Sequence, residues 1–325
     1  MIQKFIFSDM IASNGWLESD AAMKKGLIYV FVAYALWGFF PIYFKFLHEA
    51  PALQIMAHRV TWSFIFLSLL VVLRKEFHQI IRSFTKKIIL TYAIAGVLLA
   101  INWLTYVWGV NAGFIVETSL GYFINPLVSV ILGVVFLKEK LRSFQWLPVA
   151  LASIGVIYLA IEHGSLPWIA LVLAFTFGTY GLFKKIAPLP SIHGLTVETG
   201  AVLLPAIIFL IVVEVNGTAA FGHTSATTTF LLALSGIITA IPLIFFASGA
   251  PLVPLTTIGI LQYIAPTIQF LIGVFIYDEP FTRGRFIGFS IVWIALIIFT
   301  IEGFSHHYRV NHLPKSVKIE NAGNL

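Results

Sequence analysis

The sequence predicts an all-α membrane protein of ten transmembrane helices, arranged as two inverted five-helix repeats. Three observations carry this: an extreme apolar composition, ten separate stretches long enough to cross a bilayer, and a set of residues that recurs at one constant spacing.

Hydrophobic residues make up 59% of the 325, charged residues only 10%, and the mean hydropathy is +0.95. Soluble domains carry about a quarter charged residues, and a single aqueous core of this length cannot hide so much apolar surface. A bilayer can, because it is itself the apolar solvent. The 15% aromatic content suits lipid-facing surfaces and interfacial belts. The net charge of +6 reads as basic cytoplasmic loops, so no nucleic-acid partner is expected. The absence of cysteine excludes disulfides and thiolate metal sites. No phosphate loop, zinc-binding H-E-x-x-H helix or G-x-S-x-G elbow occurs. The chain is therefore not expected to be an enzyme or an ATP-driven pump, and neither cofactor nor metal is expected.

A helical span needs about 20 mostly apolar residues. The stretches that meet this are 26–47, 52–73, 88–109, 115–136, 144–161, 165–184, 195–215, 227–249, 255–277 and 284–303. Short connectors, such as 48–51 and 110–114, force antiparallel neighbours. The expected segments are a cytoplasmic N-terminal stretch over 1–25, one repeat over 26–161, a second over 162–303, and a basic cytoplasmic tail over 304–325. Charges at Lys4, Asp9, Glu18 and Asp20 interrupt any apolar run before the first span, and residues 1–22 receive no function. With the N-terminus inside, 16 Lys and Arg fall on cytoplasmic segments and only Arg283 and Arg285 outside, which sets the orientation and favours an even number of spans.

The repeat is read from one offset of 140 residues. It superimposes Tyr122-Phe123-Ile124-Asn125-Pro126 on Gln262-Tyr263-Ile264-Ala265-Pro266, and it pairs Gly133 with Gly273, Glu139 with Glu279, Gly38 with Gly178 and Lys45 with Lys185. Five spans per half is an odd number, so the second half enters the membrane from the opposite side. Inverted repeats of this kind are typical of secondary carriers, whose substrate site lies near the midplane.

Polar groups within spans are the candidate site residues, because burying them in hydrocarbon is costly. Tyr34, Gly38, Pro41 and Lys45 share one face of the first span; Lys45 either joins a site or snorkels to the interface. The second span carries His58 and Arg59, flanked by Gln54 and Trp62. Asn102, Trp103 and Tyr106 follow in the third, and Thr118, Tyr122, Asn125 and Ser129 in the fourth. Gln262, Tyr263 and Gln269 repeat that face in the ninth. Pro41, Pro126 and Pro266 are candidate hinges, since each removes a helical hydrogen bond. His58 meets Glu198 at the same offset, which suggests a proton-coupling pair, although Glu198 could equally sit at an interface. Glu117 reads as a helix cap or an entrance guard, and Glu139, between Lys138 and Lys140, as part of a solvated cluster, with repeat symmetry adding weight to a structural role for it and Glu279.

The runs Ala33-Tyr34-Ala35-Leu36-Trp37-Gly38, Tyr43-Phe44-Lys45, His58-Arg59-Val60-Thr61-Trp62-Ser63, Asn102-Trp103, Glu117-Thr118-Ser119-Leu120-Gly121-Tyr122-Phe123-Ile124-Asn125-Pro126-Leu127 and Gln262-Tyr263-Ile264-Ala265-Pro266-Thr267 resemble RarD-type permeases. These form part of the EamA group within the drug/metabolite transporter (DMT) superfamily, and the resemblance spans residues 24 to about 303. Where such families usually show Gly-Pro in the ninth span, this chain has Ala265-Pro266. The resemblance implies a DMT/EamA carrier fold in a bacterial inner membrane, and relatives that export amino acids, metabolites or drugs. It supplies no agreed site residues.

The expected function is a secondary-active transporter that exports a small amphipathic or aromatic solute by alternating access. Tyr34, Trp37, Trp103, Tyr106, Tyr122 and Tyr263 favour flat organic molecules over bare ions. The expected partners are that solute and membrane lipid. The alternatives are a facilitative channel or a non-transporting membrane scaffold. An intramembrane enzyme would require convergent catalytic groups that the sequence does not offer.

Overall fold

Apolar runs in lipid must satisfy their own backbone groups, which leaves helices or closed barrels, and this chain takes the helical solution. A computed structural model describes residues 21–111, 115–163, 168–277 and 282–312. Residues 1–20, Glu279, the chain beyond 312 and the side chain of Glu117 lie outside the described residues.

The helices are α1 (residues 21–38), α2 (Phe40–Phe46), α3 (Ala52–Leu73), α4 (Phe77–Ser83), α5 (Lys86–Asn111), α6 (Ile115–Phe136), α7 (Trp146–His163), α8 (Trp168–Ile186), α9 (Ser191–Val215), α10 (Ala226–Gly249), α11 (Leu255–Leu261), α12 (Ile264–Ile276) and α13 (Arg283–His312). Among the described residues there is no strand. Among the described residues seven stretches are long and apolar enough to cross a membrane: Ala21–Phe46, Ala52–Leu73, Lys86–Gly109, Ser143–Ile161, Trp168–Ile186, Ser191–Val215 and Ala226–Leu252. Shorter apolar helices cover Leu120–Phe136 and Phe286–Phe299. The protein is thus an all-α membrane protein. Large apolar side chains such as Phe46, Leu73, Ile161, Val215 and Phe275 remain exposed, as lipid-facing positions require.

Two predicted spans are broken rather than continuous. The first stops at Phe39, two residues before Pro41, and restarts as α2. The ninth divides at Gln262-Tyr263, where Tyr263 N–H bonds Ile260 O and Ala265 N–H bonds Gln262 O, both at 3.2 Å and both three residues back. Pro266 has no N–H for the Gln262 carbonyl, so the chain tightens there instead of continuing. Pro126, at the equivalent place, lies inside an unbroken α6. Two further differences concern the polar segments. The connector after the second span contains α4, whose Ile80 is buried in the core. The last helix continues to His312, so residues 304–312 of the expected aqueous tail are helical.

The chain forms two compact units, Met1–Glu139 with Pro167–Glu279, and Lys140–Leu166 with Pro280–Leu325. In the first, α6 packs on α8 and α11, α3 on α9 and α10, and α5 on α8 and α9. Its largest apolar cluster is built around Tyr34, Leu67, Tyr180, Leu195, Leu243 and Phe246. In the second, α7 packs on α13, and Arg142 makes a two-pronged pair with Glu302 at 2.8 and 2.6 Å.

Helix ends recur along the chain. α6 runs Ile115–Phe136, and the α11–α12 pair runs Leu255–Ile276, each end displaced by the offset of 140. The last residues of α2 and α8, Phe46 and Ile186, and the first residues of α5 and α10, Lys86 and Ala226, stand at the same separation.

Candidate functional site

Arg59 lies two turns into α3, on a helix that starts cleanly because Pro51 precedes its first residue in an extended conformation. Its side chain is 3% exposed. Nε donates to Thr239 Oγ1 of α10 at 2.9 Å. The guanidinium carbon sits 4.3 Å from the ring centre of Trp103 on α5, 5.4 Å from Phe44 and 5.6 Å from Phe40. The phenols of Tyr43, Tyr106 and Tyr122 lie near enough to feel its charge, and the rings of Tyr106 and Tyr122 meet edge to face at 5.5 Å. Among the described residues, no carboxylate pairs with Arg59. Three helices of one compact unit, α2, α5 and α6, therefore set aromatic rings around a charged fork carried by α3, and α10 adds a hydroxyl.

The preceding residue, His58, stacks on Phe221 at 4.9 Å, and Trp62, one turn further on, lies 6.1 Å from the same ring. Phe221 belongs to the connector between α9 and α10, which Gln54 pins by donating to Thr218 O and accepting from Ala220 N, both at 2.7 Å.

A second charged group lies deep between α5, α8 and α9. Lys184 Nζ and Glu198 Oε1 are 2.7 Å apart with side chains 3% and 1% exposed, and Tyr180 donates to Glu198 Oε2 at 3.2 Å. The Lys184 ammonium also stands over Tyr92 and Tyr180 at 5.7 and 5.8 Å. Such a pair is tolerated because each charge neutralises the other and the tyrosine satisfies a further lone pair.

The sequence-derived candidates divide by what their polar atoms do. Some are committed to structure. Asn102 donates to Leu173 O and Thr176 Oγ1 at 2.9 and 3.0 Å, tying α5 to α8. Tyr263 donates to Phe123 O at 3.2 Å. Gln269 donates to Trp37 O at 3.1 Å, the carbonyl that Pro41 leaves without its helical partner. Lys45 is exposed, with its ammonium 5.2 Å from the Tyr277 ring, as a snorkelling residue would be. His58 and Glu198 are not a pair: Glu198 is held by Lys184 and Tyr180, and His58 by Phe221. Offset equivalence put them at matching positions in two halves, which does not bring them into contact.

Other candidates retain free polar atoms. Among the described residues, five buried side-chain atoms lack a hydrogen-bond partner: Tyr34 Oη, His58 Nδ1, Trp62 Nε1, Asn125 Nδ2 and Gln262 Oε1. Four of the five belong to residues singled out from the sequence. Ser129 makes only a long 3.5 Å contact to Asn125 Oδ1. Buried polar atoms are nearly always satisfied, so this concentration marks α1, α3, α6 and α11–α12 as the elements with hydrogen-bonding capacity to spare.

Sequence reading missed Lys184, Tyr180, Tyr43 and Thr239. Lys184 ends an apolar run beside Lys185 and looks like a loop charge. The available signal was Glu198, a buried carboxylate that needs a cation, with Tyr180 and Lys184 one helical turn apart on the preceding span. Glu139 takes the structural role that repeat symmetry suggests rather than a place in a solvated cluster: its carboxylate accepts from Leu255 N and Thr256 N at 2.6 and 2.9 Å, capping α11.

Residues 24–161 match the EamA-like transporter family. The chain is 48% identical over 286 residues to the "Uncharacterized transporter YojE" of Bacillus subtilis, covering 87% of this chain and 95% of that protein. It is 42% identical over 287 residues to "Protein RarD" of Streptomyces exfoliatus, covering 87% and 90%. A solved crystal structure superimposes with a TM-score of 0.66 at 16% identity, over 86% of this chain and 98% of that one; at that identity it bears on the fold alone.

Proposed function

We infer the function from the premise that this chain belongs to the EamA-like transporter family, in its RarD-type branch, and is a membrane transporter rather than an enzyme. The reading is a secondary-active permease of ten spans in two inverted repeats, residues 26–161 and 162–303. It exports a small amphipathic or aromatic solute by alternating access across a bacterial inner membrane, with both termini cytoplasmic.

One observation carries the two-half reading. A Cβ built on Gly38 would lie 2.7 Å from Ile268 Cβ, and one built on Gly178 would lie 2.8 Å from Val128 Cγ1. Gly178 stands 140 residues after Gly38, and Ile268 stands 140 after Val128. The same close contact is thus made twice with the halves exchanged, as a two-fold axis between them would require. Phe123 and Tyr263, equivalent under that operation, touch each other, with rings 6.1 Å apart and a hydrogen bond between them. Two equivalent interfaces that can open in turn are what alternating access needs. Within this reading the solute meets the free polar atoms of Tyr34, Asn125 and Gln262, and the aromatic surround of Arg59.

Counterflow in liposomes tests it. Protein preloaded with unlabelled solute should accumulate labelled solute transiently and saturably, across a screen of aromatic carboxylates, amino acids, nucleosides and amphenicols. Non-saturable flux would favour a channel, and no flux for any solute would remove the carrier reading. The chain has no native cysteine, so single cysteines at Lys4 and Lys315, labelled from either side, test the orientation directly.

A further inference from the structure

Resting on the carrier reading, we propose that the solute is a small aromatic monocarboxylate, with its carboxylate on the Arg59 guanidinium and its ring against the neighbouring aromatic side chains. Arginine stays charged in proteins, and a charge inside a membrane span calls for a partner. Among the described residues, the hydrogen bonds of Arg59 amount to one, from Nε to Thr239. Trp103, Phe44 and Phe40 steady the charge through their rings but offer it no acceptor. Among the described residues no hydrogen bond joins Arg59 to the neighbouring phenols of Tyr43, Tyr106 and Tyr122 either, so the two terminal amino groups of the planar fork remain for an acceptor from outside the protein. A carboxylate matches that fork with two parallel hydrogen bonds.

The surroundings narrow the class further. An amino acid would bring an ammonium group, best met by a carboxylate; among the described residues the buried carboxylate of the same compact unit, Glu198, is already committed to Lys184 and Tyr180. A phosphate or dicarboxylate would call for a second cation; Lys45 of the first span is exposed and rests on Tyr277, and the buried Lys184 is paired with Glu198. A neutral solute would leave the arginine unpaired. The half-buried rings of Trp103, Tyr106 and Tyr122 supply the apolar contact for an aromatic body.

The test uses the full chain in liposomes and three matched probes: phenylpyruvate, its neutral amide, and phenylalanine. The expected result is saturable counterflow of phenylpyruvate, with the other two weaker by roughly ten- to a hundredfold, the equivalent of one lost charge-assisted contact. Arg59→Gln should reduce phenylpyruvate exchange by a similar factor, and Arg59→Lys by less. Equal exchange of the amide or of phenylalanine overturns the proposal, as does full exchange by Arg59→Gln. If Arg59→Gln does not fold, the probe series on the unmodified protein decides alone. Counterflow of a nucleoside or amphenicol without any carboxylate overturns the proposal and leaves the carrier reading standing. Counterflow of no solute overturns both.

Discussion

The side-chain amide of Gln269 donates to the main-chain carbonyl of Trp37 at 3.1 Å, the group that would have bonded residue 41 had residue 41 not been proline. A break in the first membrane stretch is thus stitched by a residue from α12. A proline in lipid frees a carbonyl, and something must satisfy it.

Gln269→Leu should therefore destabilise the protein by about 1–3 kcal/mol, the cost of a buried carbonyl left unsatisfied. Thermal unfolding in detergent measures this. Pro41→Ala in the same chain should recover much of the loss, because the restored N–H can serve Trp37. If the two substitutions add independently, the stitch does not exist.

The Lys184–Glu198 pair predicts strong non-additivity. Lys184→Met or Glu198→Leu alone leaves a buried charge uncompensated and should cost about 3–5 kcal/mol. The double substitution should cost clearly less than the sum. A double-mutant cycle by thermal unfolding gives the coupling directly, and a coupling near zero would mean that the two groups are solvated separately.

These two cases show where sequence reading succeeds and where it stops. Helix positions were legible because lipid leaves a helix as the backbone solution for apolar runs of about 20 residues, and the offset of 140 was legible because Pro, Gly and charged residues recur together. The direction in which a polar side chain points was not. Gln269 and Asn102 looked like cavity lining and are interhelical ties, while Lys184 looked like a loop charge and is buried. Periodicity places a residue on a face, but the neighbour on that face comes from tertiary packing. Arg59 was a candidate because its charge falls inside a span, and its depth came from the fold, which buries it against Trp103, Phe44 and Phe40.

Glu139 makes a local prediction. Its carboxylate satisfies two of the free N–H groups that begin α11. Glu139→Ala should cost about 1 kcal/mol and raise hydrogen exchange over residues 255–261, with α5 unaffected. Unchanged exchange in α11 would show that the cap contributes nothing.

The central claim is that two exchanged halves move against each other at the Gly38–Ile268 and Gly178–Val128 contacts. The cysteine-free chain allows each to be locked by a disulfide, Gly38→Cys with Ile268→Cys, or Gly178→Cys with Val128→Cys. Oxidising either pair should stop counterflow, and reductant should restore it, with the two locks behaving alike. Counterflow at the unmodified rate through a chain shown to be fully cross-linked at either contact would contradict the account.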